Sequence, residues 1–66
     1  MANYYVNNRA QQNGDHEVHV DGCSYMPSDK KYLGSFLSCQ PAVAEAKKTY
    51  RQSNGCYWCC RDCHTS

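Results

Sequence analysis

The residues able to do chemistry are six Cys and three His in a chain of 66. Four of the Cys lie within eight residues, where Cys56 and Cys59 form one C-x-x-C, Cys60 and Cys63 a second, and His64 follows directly. Thiolates spaced this way in a turn can converge on one tetrahedral ion, because Zn–S bonds are short and loop N–H groups donate to sulfur. Zinc held by Cys56, Cys59, Cys60, Cys63 and His64 is therefore the expected cofactor, with Cys39 and Cys23 as alternate ligands. The two pairs abut, however. Typical zinc sites draw such pairs from different elements, and one short loop has difficulty presenting four sulfurs tetrahedrally.

Chain geometry suggests another grouping. A helix from Cys39 to Ser53 would be roughly 21 Å long at 1.5 Å rise per residue. A returning tail covers about 3.3 Å per residue and regains the level of Cys39 near Cys60 or Cys63. Cys39 then meets Cys60, Cys63 or His64, with Cys23 able to join them, while Cys56 and Cys59 stay at the far end of the helix. Three states stay open for the thiols: zinc on some subset, disulfides in an oxidising compartment, or buried inert side chains.

Cys56-Tyr57-Trp58-Cys59 also invites a redox reading. A dithiol enzyme places its first Cys at a helix N-terminus, where the dipole favours thiolate. Here the motif follows a helix C-terminus, where the dipole has the opposite sign. Residues three apart on a strand face opposite ways, so His16 and His19 cannot chelate one ion together. His16 is placed at the edge of the face of Val18 and Val20, and His19 facing solvent or a partner. Ser24, Ser28 and Ser35 lack the Gly-x-Ser-x-Gly setting of a hydrolase.

The elements that must position these residues read as one α+β domain over residues 1–66. Tyr4, Tyr5 and Val6 mark a strand at about 3–8, and alternation at His16, Val18 and Val20 marks one at about 15–20. Asn13-Gly14 between them signals a hairpin. A two-residue turn would put Val18 and Val20 on the face of Tyr5; a bulged loop would put them with Tyr4 and Val6, and the register is open. Tyr32, Leu33, Phe36 and Leu37 give a third strand at about 31–37, bent or bulged at Gly34. Ser38 as N-cap and Pro41 in the first turn start a helix that runs to about Ser53, with Asn54-Gly55 as its cap. Its stripe is Cys39, Val43, Ala46 and Tyr50. The expected architecture is a small antiparallel sheet of two or three strands packed on this one helix, followed by a Cys-rich tail at 56–64. Neither a repeat nor a low-complexity segment is visible.

Composition explains why a staple is expected. The chain has four Val, two Leu, one Phe and no Ile, a thin core even for a small domain. Six Tyr and one Trp supply much of the remaining apolar area. A net charge of +1 gives no strong field, and the longest basic runs are the pairs Lys30-Lys31 and Lys47-Lys48. Both observations argue against capture of nucleic acid. The start, Met1-Ala2-Asn3-Tyr4-Tyr5, does not read as a signal peptide, and no apolar run suits a membrane span. The expected compartment is the cytoplasm.

The run Asn13-Gly14-Asp15-His16-Glu17-Val18-His19, with Leu33-Gly34, Cys39, the Ala-rich helix, Asn54-Gly55-Cys56 and Cys63-His64, resembles a set of small uncharacterised bacterial Cys-rich proteins. A fainter likeness, carried by Asn13-Gly14 and the strand–helix order, is to UPF0339-type domains, which lack the Cys-rich tail. Neither resemblance implies an activity. Three roles are then expected to compete: a non-catalytic binding module stapled by zinc or disulfides, a thiol-based redox protein, and a homo-oligomeric structural protein with exposed sheet edges.

Overall fold

The computed structural model describes residues 1–65. Strands β1 (Ala2–Asn7), β2 (His16–Val20) and β3 (Lys30–Phe36) precede helix α1 (Cys39–Ala46), strand β4 (Ser53–Gly55) and a 3-10 turn at Arg61–Cys63. The fold is α+β, as composition and patterning indicate. Its sheet has four strands in the order β3-β1-β2-β4, not two or three. It is mixed and not purely antiparallel, because β4 runs parallel to β2.

The β1–β2 pairing sets Tyr4 opposite Val20, Tyr5 opposite His19 and Val6 opposite Val18. Val18 and Val20 therefore share the face of Tyr4 and Val6, which is the bulged-loop alternative. Asn13-Gly14 does not make a two-residue hairpin. It closes a turn inside the longer loop between β1 and β2, where the Gly14 N–H donates to the Gln11 carbonyl at 2.9 Å. The loop is held by Asp15, whose buried carboxylate accepts from the Gln52 amide at 2.8 Å, the Asn13 amide at 3.2 Å and the Asn54 amide at 3.3 Å. Those bonds replace the short turn that Asn-Gly alone would favour. On the other side of β1 the register with β3 shifts between Tyr4 and Tyr5, which leaves a bulge at Leu33-Gly34, where the Gly34 signal places it.

Ser38 precedes the helix in extended conformation, but its side chain makes no capping bond. The helix stops at Ala46, well short of Ser53. Bonds from the Lys48 N–H to Glu45 and from the Thr49 and Tyr50 N–H groups to Ala46 tighten and end it. The physical reason is the fourth strand. Thr49 and Tyr50 are weak helix formers, and Tyr50 is held elsewhere: its ring stacks on His16 with centroids 3.9 Å apart, and its hydroxyl donates to Asn8 at 2.7 Å. Asn54-Gly55 is consequently not a helix cap but part of β4, where the backbone continues from Gln52, whose carbonyl accepts the His16 N–H at 2.8 Å.

The core lies between the helix and one sheet face: Tyr4, Val6, Val18, Leu33, Cys39, Ala42, Ala46 and Cys60 are buried there. Ala42 is fully buried and was not on the expected stripe, whereas Val43 and Tyr50 only border it. The tail then folds back over β4. The Asn54 side-chain oxygen accepts the N–H and hydroxyl of Thr65, at 3.0 and 3.2 Å. His64 Nδ1 lies 3.0 Å from the Gly55 carbonyl. A Cβ at Gly55 would lie 2.6 Å from the Cys60 carbonyl oxygen and 2.7 Å from Cys63 Cβ, so no side chain fits there. Gly55→Ala should therefore destabilise the fold by about 1–3 kcal/mol, the usual range for forced overpacking. Urea unfolding checks this, and an unchanged midpoint would show that the tail does not close over Gly55.

Candidate metal centre

Parallel pairing puts the C-terminal ends of β2 and β4 side by side, since His16, Glu17 and Val18 sit opposite Ser53, Asn54 and Gly55. Whatever follows each strand must meet its neighbour. After β2 the chain turns back at once: the Cys23 N–H donates to the Val20 carbonyl at 3.1 Å, and Gly22 takes φ +93°. That positive φ is the third-position requirement of a tight turn, which glycine meets without strain. It returns Cys23 to the level of His19. After β4 the Cys56 N–H still donates to Val18, and a second turn is closed by the Cys60 N–H on the Cys56 carbonyl, both at 2.9 Å. That turn returns Cys59 to the level of Cys56.

The result is one cluster. His19, Cys23, Cys56 and Cys59 bring their ligand atoms within 4.8 Å of one another. His19 Nδ1 lies 3.5 Å from Cys23 Sγ and 3.8 Å from Cys59 Sγ. A tetrahedron with Zn–S of about 2.3 Å and Zn–N of about 2.0–2.1 Å has S···N edges of about 3.6 Å and S···S edges of about 3.8 Å. The donor set thus has the chemistry of a Cys3His zinc site, and the two S···N distances match the edges of such a tetrahedron. The Val20 N–H points at Cys59 Sγ at 3.4 Å, the kind of donor that steadies a metal-bound thiolate.

The electrostatics of the cluster favour a cation. Burial pushes the Cys59 thiol well up, and the neighbouring Cys23, Cys60 and Cys56 sulfurs add to this against the opposing Val20 N–H. Burial likewise lowers His19, with Glu17 opposing, so its imidazole is held neutral. A neutral imidazole is the form that ligates. A divalent ion held by these four atoms would supply the positive charge that turns thiols into thiolates.

The structure separates the expected ligands. Cys56 and Cys59 are in the cluster, and Cys23 joins them. Cys39 does not; it forms a disulfide with Cys63, which ties the tail to the helix start. Cys60 points into the core, 97% buried, with its Sγ 3.9 Å from that of Cys59. The abutting pairs do not serve one ion together, because Cys63 is bonded to Cys39 and Cys60 lies beside the group of four that converges, in the core. His64 bonds to the Gly55 carbonyl and packs edge-on against Tyr57, away from the cluster. His19 is the ligand that the alternation pattern missed. Alternation places it toward solvent or a partner, yet it is 99% buried, because the tail covers the sheet end beyond it. The signal that points to it is His19-x3-Cys23 across the Asp21-Gly22 turn, read together with Cys56-x-x-Cys59. His16 stays apart from the cluster, stacked on Tyr50 with Nδ1 2.9 Å from the Asn7 carbonyl.

No helix among the described residues is long and apolar enough to cross a membrane. In comparisons with protein-family models, curated proteins and solved structures, nothing matches this chain.

Cobalt titration separates the cluster from the other cysteines. The wild-type chain should show thiolate-to-cobalt charge transfer, Cys56→Ser should lose most of it, and Cys60→Ser should keep it. Protons compete with the metal for the same four atoms. Binding should accordingly weaken steadily as pH falls, because the Cys59 thiol, raised by burial, must give up its proton to bind the metal, and more steeply below the ordinary imidazole range, where His19, lowered by burial, gains its own. Absorbance that persists in C56S and disappears in C60S would move the site to the buried thiol.

Proposed function

We propose that the chain is a small non-catalytic binding module whose sheet end and tail are stapled by a structural zinc ion. The observation that carries this reading is the convergence of His19, Cys23, Cys56 and Cys59 within 4.8 Å from two separate turns. Four protein ligands fill a tetrahedral ion and leave no position for a water or substrate, which is the mark of a structural and not a catalytic site. The upward shifts of Cys59 and Cys60, both led by burial, are opposite to what an attacking thiolate of a redox enzyme requires.

A binding role rests on the surface beside the two turns. Tyr25 and Trp58 are 59% and 63% exposed and stack with ring centroids 5.6 Å apart, and Tyr57 meets Trp58 edge-on at 4.9 Å. Large aromatics left this exposed are common at contact surfaces. Self-association through this surface is the second reading, and light scattering across concentration distinguishes it from recognition of another molecule. The cytoplasm is the proposed compartment on the strength of the four unpaired Cys; the Cys39–Cys63 disulfide points the other way, to an oxidising compartment.

Metal analysis of protein purified without added zinc, combined with thiol counting, tests the staple. The expected result is one zinc per chain, four thiols reactive once the metal is chelated, and two more only after reduction. Metal-free protein with six reactive thiols would sink the proposal.

A further inference from the structure

An imidazole can give a metal only one nitrogen at a time, and the other must then carry the proton. In water that proton is easily satisfied. At His19 it is not, because the side chain is 1% exposed. His19 Nδ1 faces the cysteine sulfurs at 3.5 and 3.8 Å, so the proton belongs on Nε2. Nε2 faces the Glu17 carboxylate, 3.5 Å from Oε1. The pairing follows from the strand. Glu17 and His19 are two residues apart on β2 and project from the same face, opposite the one on which the helix packs. The Glu17 side chain is itself only 19% exposed, so its charge is weakly screened by water. The other two rings use backbone carbonyls: His16 Nδ1 lies 2.9 Å from that of Asn7 and His64 Nδ1 3.0 Å from that of Gly55. Among the described residues, His19 is the histidine facing a carboxylate.

Resting on the zinc reading above, we infer that Glu17 is the positioning residue of the metal centre. It holds the proton on Nε2, fixes the ring so that the Nδ1 lone pair faces Cys23 and Cys59, and makes the imidazole a stronger donor. It touches no metal itself. Its role is to select which nitrogen ligates; the three Cys and the imidazole themselves favour zinc and cobalt above magnesium or calcium.

The test compares wild type, Glu17→Ala and Glu17→Gln as full chains loaded with zinc. Affinity is measured by competition with a chromophoric chelator, and the His19 tautomer is read from ring nitrogen shifts and exchange of the ring proton. Wild type should show Nδ1 ligated and a slowly exchanging Nε2 proton. Glu17→Ala should bind about 10–100-fold more weakly, the range usual for such outer partners, with a fast-exchanging proton or ligation through Nε2. Glu17→Gln keeps an acceptor of the same shape and should fall between the two, with the Nδ1 pattern retained; it also guards against mere loss of folding in the alanine variant. Affinities within about twofold and an unchanged nitrogen pattern in E17A would overturn the inference while leaving the zinc site standing. A wild-type chain that takes up no zinc would overturn both.

Discussion

The parallel pairing of β2 with β4 is the constraint on which the rest depends. It spans only three residue pairs, His16–Ser53, Glu17–Asn54 and Val18–Gly55. Short parallel pairings are weak by themselves and need a crossover connection. Here β3 and the helix supply the crossover, and the cluster of side chains just past the pairing holds its end. The buried bonds of Asp15 to Gln52 and Asn54 hold its beginning. The His/Cys cluster and the polar clamp thus lie at opposite ends of one short strand contact, with the thin core between them.

This division explains the distribution of cysteines. A core built from so few branched residues cannot order the tail after Gly55 unaided. Cys39–Cys63 attaches that tail on the helix side of the sheet, and Cys56 with Cys59 meets His19 and Cys23 at the strand ends. Cys60, between them, fills core volume beside Tyr4 and Ala42 as a small hydrophobe. Five of the six cysteines have a linking or ligating geometry, and the sixth packs.

Local signals in the sequence located most of this structure. Alternation around Val18, the glycine in Lys30–Phe36 and the Ser38–Pro41 start placed three strands and the helix origin. The expected meeting of Cys39 with Cys60, Cys63 or His64 includes the observed Cys63 partner, but the helix length behind it is wrong, since α1 ends at Ala46. What escaped depended on partners remote in sequence. Ser53-Asn54-Gly55 carries no strand propensity, and it becomes a strand only because Asp15 and His16 offer bonds to Gln52 and Asn54. Local pattern runs the helix on to about Ser53, because nothing local shows that His16 and Asn8 claim Tyr50. His19 was misplaced for the same reason: alternation sets which face a residue takes, but not what later covers that face. The pairing of Cys56 and Cys59 with His19 and Cys23, in preference to their immediate neighbours Cys60 and Cys63, follows from the unseen fourth strand.

The order of the two links along the chain has a topological consequence. The cluster joins His19 and Cys23 to Cys56 and Cys59, and the disulfide joins Cys39 to Cys63, so the two closed loops overlap and neither nests inside the other. A protease that cuts the backbone anywhere between Cys39 and Cys56 severs both loops and yet releases nothing, because each fragment retains half of each link. With the metal bound and the disulfide intact, a chain nicked there would keep both halves in place, and separating them would take a chelator and a reductant together.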